Sequence, residues 1–81
     1  MTFFVYLIGT KKKLKLTTYV GYTNNIKKRL DLHNSGKGAK FTRGRKWKLI
    51  YSEKLKTKSE AISREYYIKK NRKFRNLIKN K

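Results

Sequence analysis

The chain contains no cysteine. Disulfide staples, thiol nucleophiles, Cys-X-X-Cys redox chemistry and cysteine zinc sites are therefore excluded. Carboxylates are scarce as well: Asp31, Glu53, Glu60 and Glu65 are the 4 acidic side chains, against 24 Lys and Arg, for a formal net charge of +20. No segment approaches the ~20 apolar residues that a membrane span needs. The apolar run Phe3–Ile8 is short, with no basic stretch before it and no small-residue cleavage site after it, so it does not read as a signal peptide. Internal repeats and low-complexity linkers are missing too. The expectation is a soluble, cytoplasmic protein with no membrane partner, folded as one domain over residues 1–81.

What is present argues against disorder. Six Tyr, four Phe and one Trp make up 14% of the chain, and 37% is hydrophobic, whereas disordered segments are poor in both. A domain of this size buries only about 60% of the surface its unfolded chain exposes, so the core must be small. The charge needs a polyanion. Nucleic acid is the partner that such a balance fits, because neutralising phosphates releases condensed counterions. Bases are spread along almost the whole chain, unlike the single basic face of a membrane-surface helix.

Phe3–Ile8 reads as a strand buried on both faces. Gly9–Lys13 is a polar break. Leu14–Tyr22 alternates, with Leu14, Leu16, Thr18, Val20 and Tyr22 on one face and Lys15, Thr17, Tyr19 and Gly21 on the other, which completes an antiparallel hairpin. Thr23, Asn24 and Asn25 offer N-caps for a helix from Ile26 to about Asn34, ended by Ser35-Gly36-Lys37-Gly38. Ala39–Lys46 is a basic loop with at most one helical turn. Trp47–Leu55 is a third strand, on which Trp47, Leu49 and Tyr51 alternate with Lys48, Ile50 and Ser52. Thr57-Lys58-Ser59-Glu60 is a capping box opening a helix to about Lys70, with Ala61, Ile62 and Tyr66 expected on its packed side. A short helix over Asn71–Ile78 carries Phe74, Leu77 and Ile78, and Lys79–Lys81 is expected to fray. The order β-β-α-β-α-α describes a small α/β sheet domain with helices around it.

Three groups of residues have chemistry to offer. Glu65 follows Ala61 by four and Ile62 by three, so it lies on or beside the packed face of its helix. A carboxylate there needs a cationic partner or a metal. Arg29 and His33 are four apart and face the same way. They form either a basic helix face or a phosphodiester site, in which Arg holds non-bridging oxygens and His relays a proton. Tyr6 and Tyr19 lie on neighbouring strands, as core tyrosines or as hydroxyls whose use as a base would need help from a metal or nearby cations. Lys37, Lys40, Arg43, Arg45 and Lys46, with Phe41 and Trp47 interleaved, suit a nucleic-acid backbone, although Trp47 fits the core better.

Taken in order, these residues resemble the GIY-YIG nuclease superfamily, in particular its small standalone bacterial-type members. Phe4-Val5-Tyr6 matches the first motif and Tyr19-Val20-Gly21 the second. Arg29 follows ten residues beyond Tyr19, His33 keeps an R-x-x-x-H spacing, and Glu65 falls where the family has its metal-binding Glu. His33-Asn34-Ser35-Gly36, Lys40-Phe41-Thr42-Arg43 and Trp47-Lys48-Leu49-Ile50-Tyr51 resemble the standalone members closely. Phe4 stands where the first motif has glycine, and Tyr22 follows Gly21 where the repair enzymes often carry Lys. The resemblance covers roughly residues 3–78. It implies a three-stranded antiparallel sheet flanked by helices, and a metal-dependent endonuclease that hydrolyses DNA phosphodiesters, with branched or distorted DNA as a plausible substrate. It also implies roles: Tyr6 or Tyr19 activating water, Arg29 stabilising the transition state, His33 taking the proton onward, and Glu65 holding one Mg²⁺ or Mn²⁺. Relatives draw targeting from further domains or partners, so a partner subunit or homodimer belongs to the expectation. The alternatives are a non-catalytic DNA- or RNA-binding module on the same fold, and a ribosome-associated RNA binder.

Overall fold

A computed structural model of the protein describes residues 2–79. Its elements are β1 (Phe3–Lys12), β2 (Lys15–Thr23), α1 (Ile26–Asn34), a 3₁₀ turn at Lys40–Thr42, β3 (Lys48–Leu55), α2 (Lys58–Lys70) and α3 (Arg72–Lys79). The three strands form one antiparallel sheet in the order β2-β1-β3. This is the α/β fold, in the β-β-α-β-α-α order, that the sequence predicts. Lys79, expected to fray with Asn80 and Lys81, is the last residue of α3, and the other two lie outside the described residues.

The hairpin is longer than the apolar pattern indicates. Pairing continues past Gly9 to Lys12↔Lys15, leaving only Lys13 and Leu14 as the turn. Lys13 takes φ 58°, as a tight hairpin turn requires of a central residue. Leu14, expected on a strand face, is therefore 96% exposed at the tip. On the other side of β1, a bulge lies between the pairs Leu7↔Tyr51 and Ile8↔Leu49. The extra residue, Ile50, breaks the alternation expected for β3, so Ile50 and Tyr51 both pack on the core while Leu49 is largely exposed.

Each face of the sheet carries its own apolar cluster. Val5, Leu7 and Val20 pack under Ala61 and Ile68 of α2, with Phe74 and Ile78 of α3 completing the layer. Tyr6, Ile8 and Trp47 pack with Tyr19 and Leu30 on the opposite face, where α1 lies. Trp47, just before β3, is a core residue as its sequence context indicates. The buried stripe of α2 runs Ala61, Arg64, Glu65 and Ile68, at the helical spacing of 3, 4 and 7. Ile62 and Tyr66, expected on the packed side, consequently point outward, as does Leu77 of α3.

Local chemistry sets the helix ends. The Asn25 side chain accepts from Lys28 N–H at α1, and Thr57 Oγ1 accepts from Glu60 N–H at α2. The expected capping box is half formed, because the Glu60 carboxylate takes the Thr57 hydroxyl proton instead of its backbone N–H. Gly36, at φ 82°, turns the chain out of α1, with Lys37 N–H bonded back to Leu32 O.

Candidate active site

Tyr6 sits in the middle of β1 and pairs with Gly21 on the edge strand β2. A Cβ at Gly21 would occupy the space of the Tyr6 hydroxyl. The glycine therefore lets the phenol lie across β2 toward its outer edge. There the Tyr6 hydroxyl meets Nε2 of His33, from α1, at 2.8 Å. The other imidazole nitrogen, Nδ1, is 2.8 Å from Thr42 Oγ1, and that hydroxyl donates at 2.8 Å to Ala39 O.

These bonds fix the proton positions. A hydroxyl has one proton, and Thr42 gives its own to Ala39 O, so it accepts from His33 Nδ1–H. Nε2 is then the unprotonated nitrogen, and Tyr6 O–H donates to it. The result is a buried relay running Tyr6, His33, Thr42, Ala39 O. His33 and Thr42 are 1% and 0% exposed.

The loop that supplies Thr42 is held on three sides. Trp47 Nε1–H donates to Thr42 O at 3.0 Å. The Asn34 side chain brackets the Trp47 backbone, accepting from its N–H at 2.6 Å and donating to its C=O at 3.1 Å. Gly38 lies so close to the imidazole that any Cβ there would strike Nδ1. Tyr19 meets the imidazole edge-on, with ring centroids 5.2 Å apart.

Burial, and secondarily the nearby Arg29 cation, holds the His33 pKa below its ordinary value, so the imidazole is neutral and ready to accept a proton. Burial above all, then Tyr19 and Glu65, pushes the Tyr6 phenol well above its ordinary value, against the lowering pull of Arg29. In the resting protein Tyr6 is a neutral donor to a neutral histidine.

Beside this relay opens a pocket of about 440 Å³ lined by Tyr6, Tyr19, Asn24, Arg29, Lys58 and Glu65 among others. The edge position of β2 explains the gathering, because α1 and α2 each reach the same edge from its own face of the sheet. Four of the five residues singled out in the sequence line this pocket, and the fifth, His33, is bonded to the first through its ring. Lys58, the first residue of α2, was not anticipated. Neither were Thr42, Gly38 and Asn34 as supports of the imidazole; the only sequence signal for them was their proximity to His33 in a loop otherwise rich in bases.

Glu65 is the pocket's carboxylate. Among the described residues no group of three His, Cys, Asp or Glu side chains converges. A closed all-protein metal cage is thus not formed. One carboxylate opening on a water-accessible pocket does suit a hard divalent cation that keeps most of its waters and takes its remaining ligands from substrate phosphates.

The predicted backbone-binding residues divide. Arg43, Arg45 and Lys46 line a separate groove of about 1370 Å³, where the hairpin lysines join them. Lys37 and Lys40 are exposed and line neither the pocket nor the groove. Glu53 is engaged elsewhere: Arg64 grips it with two bonds of 2.7 and 2.6 Å, and Tyr51 O–H donates to it at 2.6 Å.

Known proteins are similar to this chain in sequence and fold. A UPF0213 protein of Clostridium perfringens is 52% identical over 68 residues, covering 83% of this chain and 70% of its own. A UPF0213 protein of Bacillus licheniformis is 62% identical over 53 residues, which are 64% of this chain and 55% of that one. The solution NMR structure of a UPF0213 protein from Bacillus halodurans aligns with the whole chain and 86% of its own, at 37% identity and a TM-score of 0.55. Residues 2–79 match the GIY-YIG catalytic domain, and the chain belongs to that family.

Proposed function

We propose that this chain is a metal-dependent endonuclease that hydrolyses phosphodiester bonds of DNA, with branched or distorted duplex as its substrate. The observation that carries the reading is the 2.8 Å bond from Tyr6 to a buried, neutral His33 at the wall of a pocket that also presents Arg29 and Glu65. The family membership supports it at the level of a nuclease domain.

In this reading a water attacks phosphorus. The Tyr6 oxygen takes a proton from that water while the Tyr6 hydroxyl proton passes to His33 Nε2, so the phenol never has to exist as a free phenolate. One P–O bond forms and the bond to the departing strand breaks. The departing oxygen takes a proton from solvent, and His33 returns its proton through Tyr6 once product has left. Arg29 holds the non-bridging oxygens as their charge grows. Tyr19 braces the imidazole from its edge. Glu65 would hold the divalent cation, Mg²⁺ or Mn²⁺, whose contribution is to offset charge at the phosphate and the departing oxygen.

The test is cleavage of end-labelled DNA offered as duplex, single strand, flap and four-way junction, with Mg²⁺, Mn²⁺ or EDTA, beside Glu65→Gln purified identically. Metal-dependent product that the variant fails to make is the expected result. Binding without cleavage of any substrate would favour the non-catalytic module instead.

A further inference from the structure

The groove at the hairpin lies away from the reacting centre, yet it is built on the same face of the same two strands. Cross-strand partners share a face, and every second residue returns to it. From the pair Tyr6↔Gly21 that face continues through Ile8↔Tyr19 and Thr10↔Thr17 to Lys12↔Lys15. Eight of the groove's twelve lining residues are Lys or Arg, none is acidic and none is aromatic. Lys12, Lys13 and Lys15 come to it from the hairpin, and Arg43, Arg45 and Lys46 from the loop before β3. The ion pair found among the described residues, Arg64 with Glu53, involves none of them. Lys13 occupies a left-handed conformation that glycine adopts without strain, so turn geometry alone does not call for a lysine there.

A physical bridge joins groove to pocket. Phe41 stacks on Tyr19, a pocket residue, at 6.1 Å and 21° between planes. The Arg45 guanidinium, a groove residue, lies 5.2 Å over the Phe41 ring.

We propose that this groove is a second nucleic-acid site, which grips the phosphate backbone of a double-stranded DNA arm about six base pairs from the bond being cut. The distance follows from six residues of strand between Tyr6 and Lys12, about 20 Å at ~3.3 Å each. Duplex advances 3.4 Å per base pair along each strand, which gives the six pairs. The lining decides the occupant. Proteins that hold single strands offer aromatic platforms for unpaired bases, and this groove is lined mainly by cations with no aromatic side chain, as suits a duplex whose bases are already stacked. The proposal rests on the nuclease reading for the position of the scissile bond, but the groove can be tested by binding alone.

The experiment compares the wild-type chain with a Lys12→Ala/Lys13→Ala/Lys15→Ala variant in EDTA, so that no cleavage intervenes. All three side chains are exposed at the tip, so folding is spared, and circular dichroism checks this. The ligands are junction DNAs whose arms shorten from 12 to 3 base pairs. Wild type is expected to lose affinity as arms fall below about six pairs, and the variant to be indifferent to arm length. The variant's log-affinity slope against log salt should be shallower by about 2.7, at ~0.9 per phosphate contact. Between 50 and 200 mM salt that makes its loss of affinity about 40-fold smaller than wild type's. Equal slopes and equal arm-length dependence would overturn the groove whether or not the protein cleaves. A failure to cleave with the arm-length effect intact would overturn the nuclease reading and leave the groove standing.

Discussion

Replacing Thr42 by valine changes almost nothing in shape and removes one hydroxyl that is fully buried. The hydroxyl has two partners, His33 Nδ1–H and Ala39 O, each at 2.8 Å. His33 Nδ1–H would be left without a partner, whereas Ala39 O keeps its bond from the Thr42 backbone N–H at 3.0 Å, and one buried unsatisfied group costs about 1–3 kcal/mol. Thr42→Val is therefore expected to lower stability by about 1–3 kcal/mol. The more telling effect is on the imidazole. With nothing to accept from Nδ1–H, the proton can move to Nε2, and Tyr6 then faces a donor instead of an acceptor. A bias of about 1.4 kcal/mol, one hydrogen bond's worth, corresponds to a tenfold loss in the fraction of competent histidine. Single-turnover DNA cleavage at neutral pH should thus fall about tenfold in Thr42→Val, and Thr42→Ser should restore it to within about threefold. Nitrogen-15 NMR of the imidazole reads the tautomer directly: Nδ1–H in wild type and the serine variant, Nε2–H gaining in the valine variant. If valine left both the tautomer and the rate unchanged, the relay derived from these bonds would be wrong.

Two further outcomes follow from the fold. Ile68 is fully buried between α2 and the sheet, so Ile68→Ala should cost about 2–5 kcal/mol, measurable as a lower urea midpoint. The fold depresses the pKa of His33, so below its ordinary value of about 6.5 the unfolded chain takes up a proton that the folded chain refuses. That contribution to stability is complete above pH ~6.5 and is lost as pH falls below it. The urea midpoint of wild type should accordingly drop from pH 7.5 to pH 5.0 by more than that of His33→Gln, and parallel midpoints would contradict the neutral-histidine assignment.

The sequence was most informative where chemistry is local or motif-borne. Element order, the α1 and α2 caps, and the five residues now found at one sheet edge were all accessible from spacing and resemblance. It was least informative where one residue's placement depends on another element. Leu14 looks like a strand residue until the pairing of Lys12 with Lys15 makes it the turn. Leu49 and Ile50 exchange expected exposures because of a bulge that no alternation pattern can announce. Ile62 and Tyr66 fit an apolar stripe as well as Ile68 does; only the sheet beneath selects Ala61 and Ile68. Thr42 and Gly38 gain their roles from a loop folding back onto α1, a contact without any local signature. Likewise the charges of Lys12, Lys13 and Lys15 look like a solvated tip until the loop of Arg43–Lys46 is seen opposite them.

In the proposed reaction the Tyr6 hydroxyl moves the proton of the attacking water. Tyr6→Phe removes that oxygen and little else, and it leaves the Arg29 and Glu65 side chains in place. In single-turnover cleavage of the preferred DNA with saturating protein, the variant's rate should be lower by about 10²–10⁴-fold, the usual worth of positioned proton transfer, with DNA affinity within about twofold of wild type. A phenylalanine variant that cleaves within threefold of wild type would contradict it.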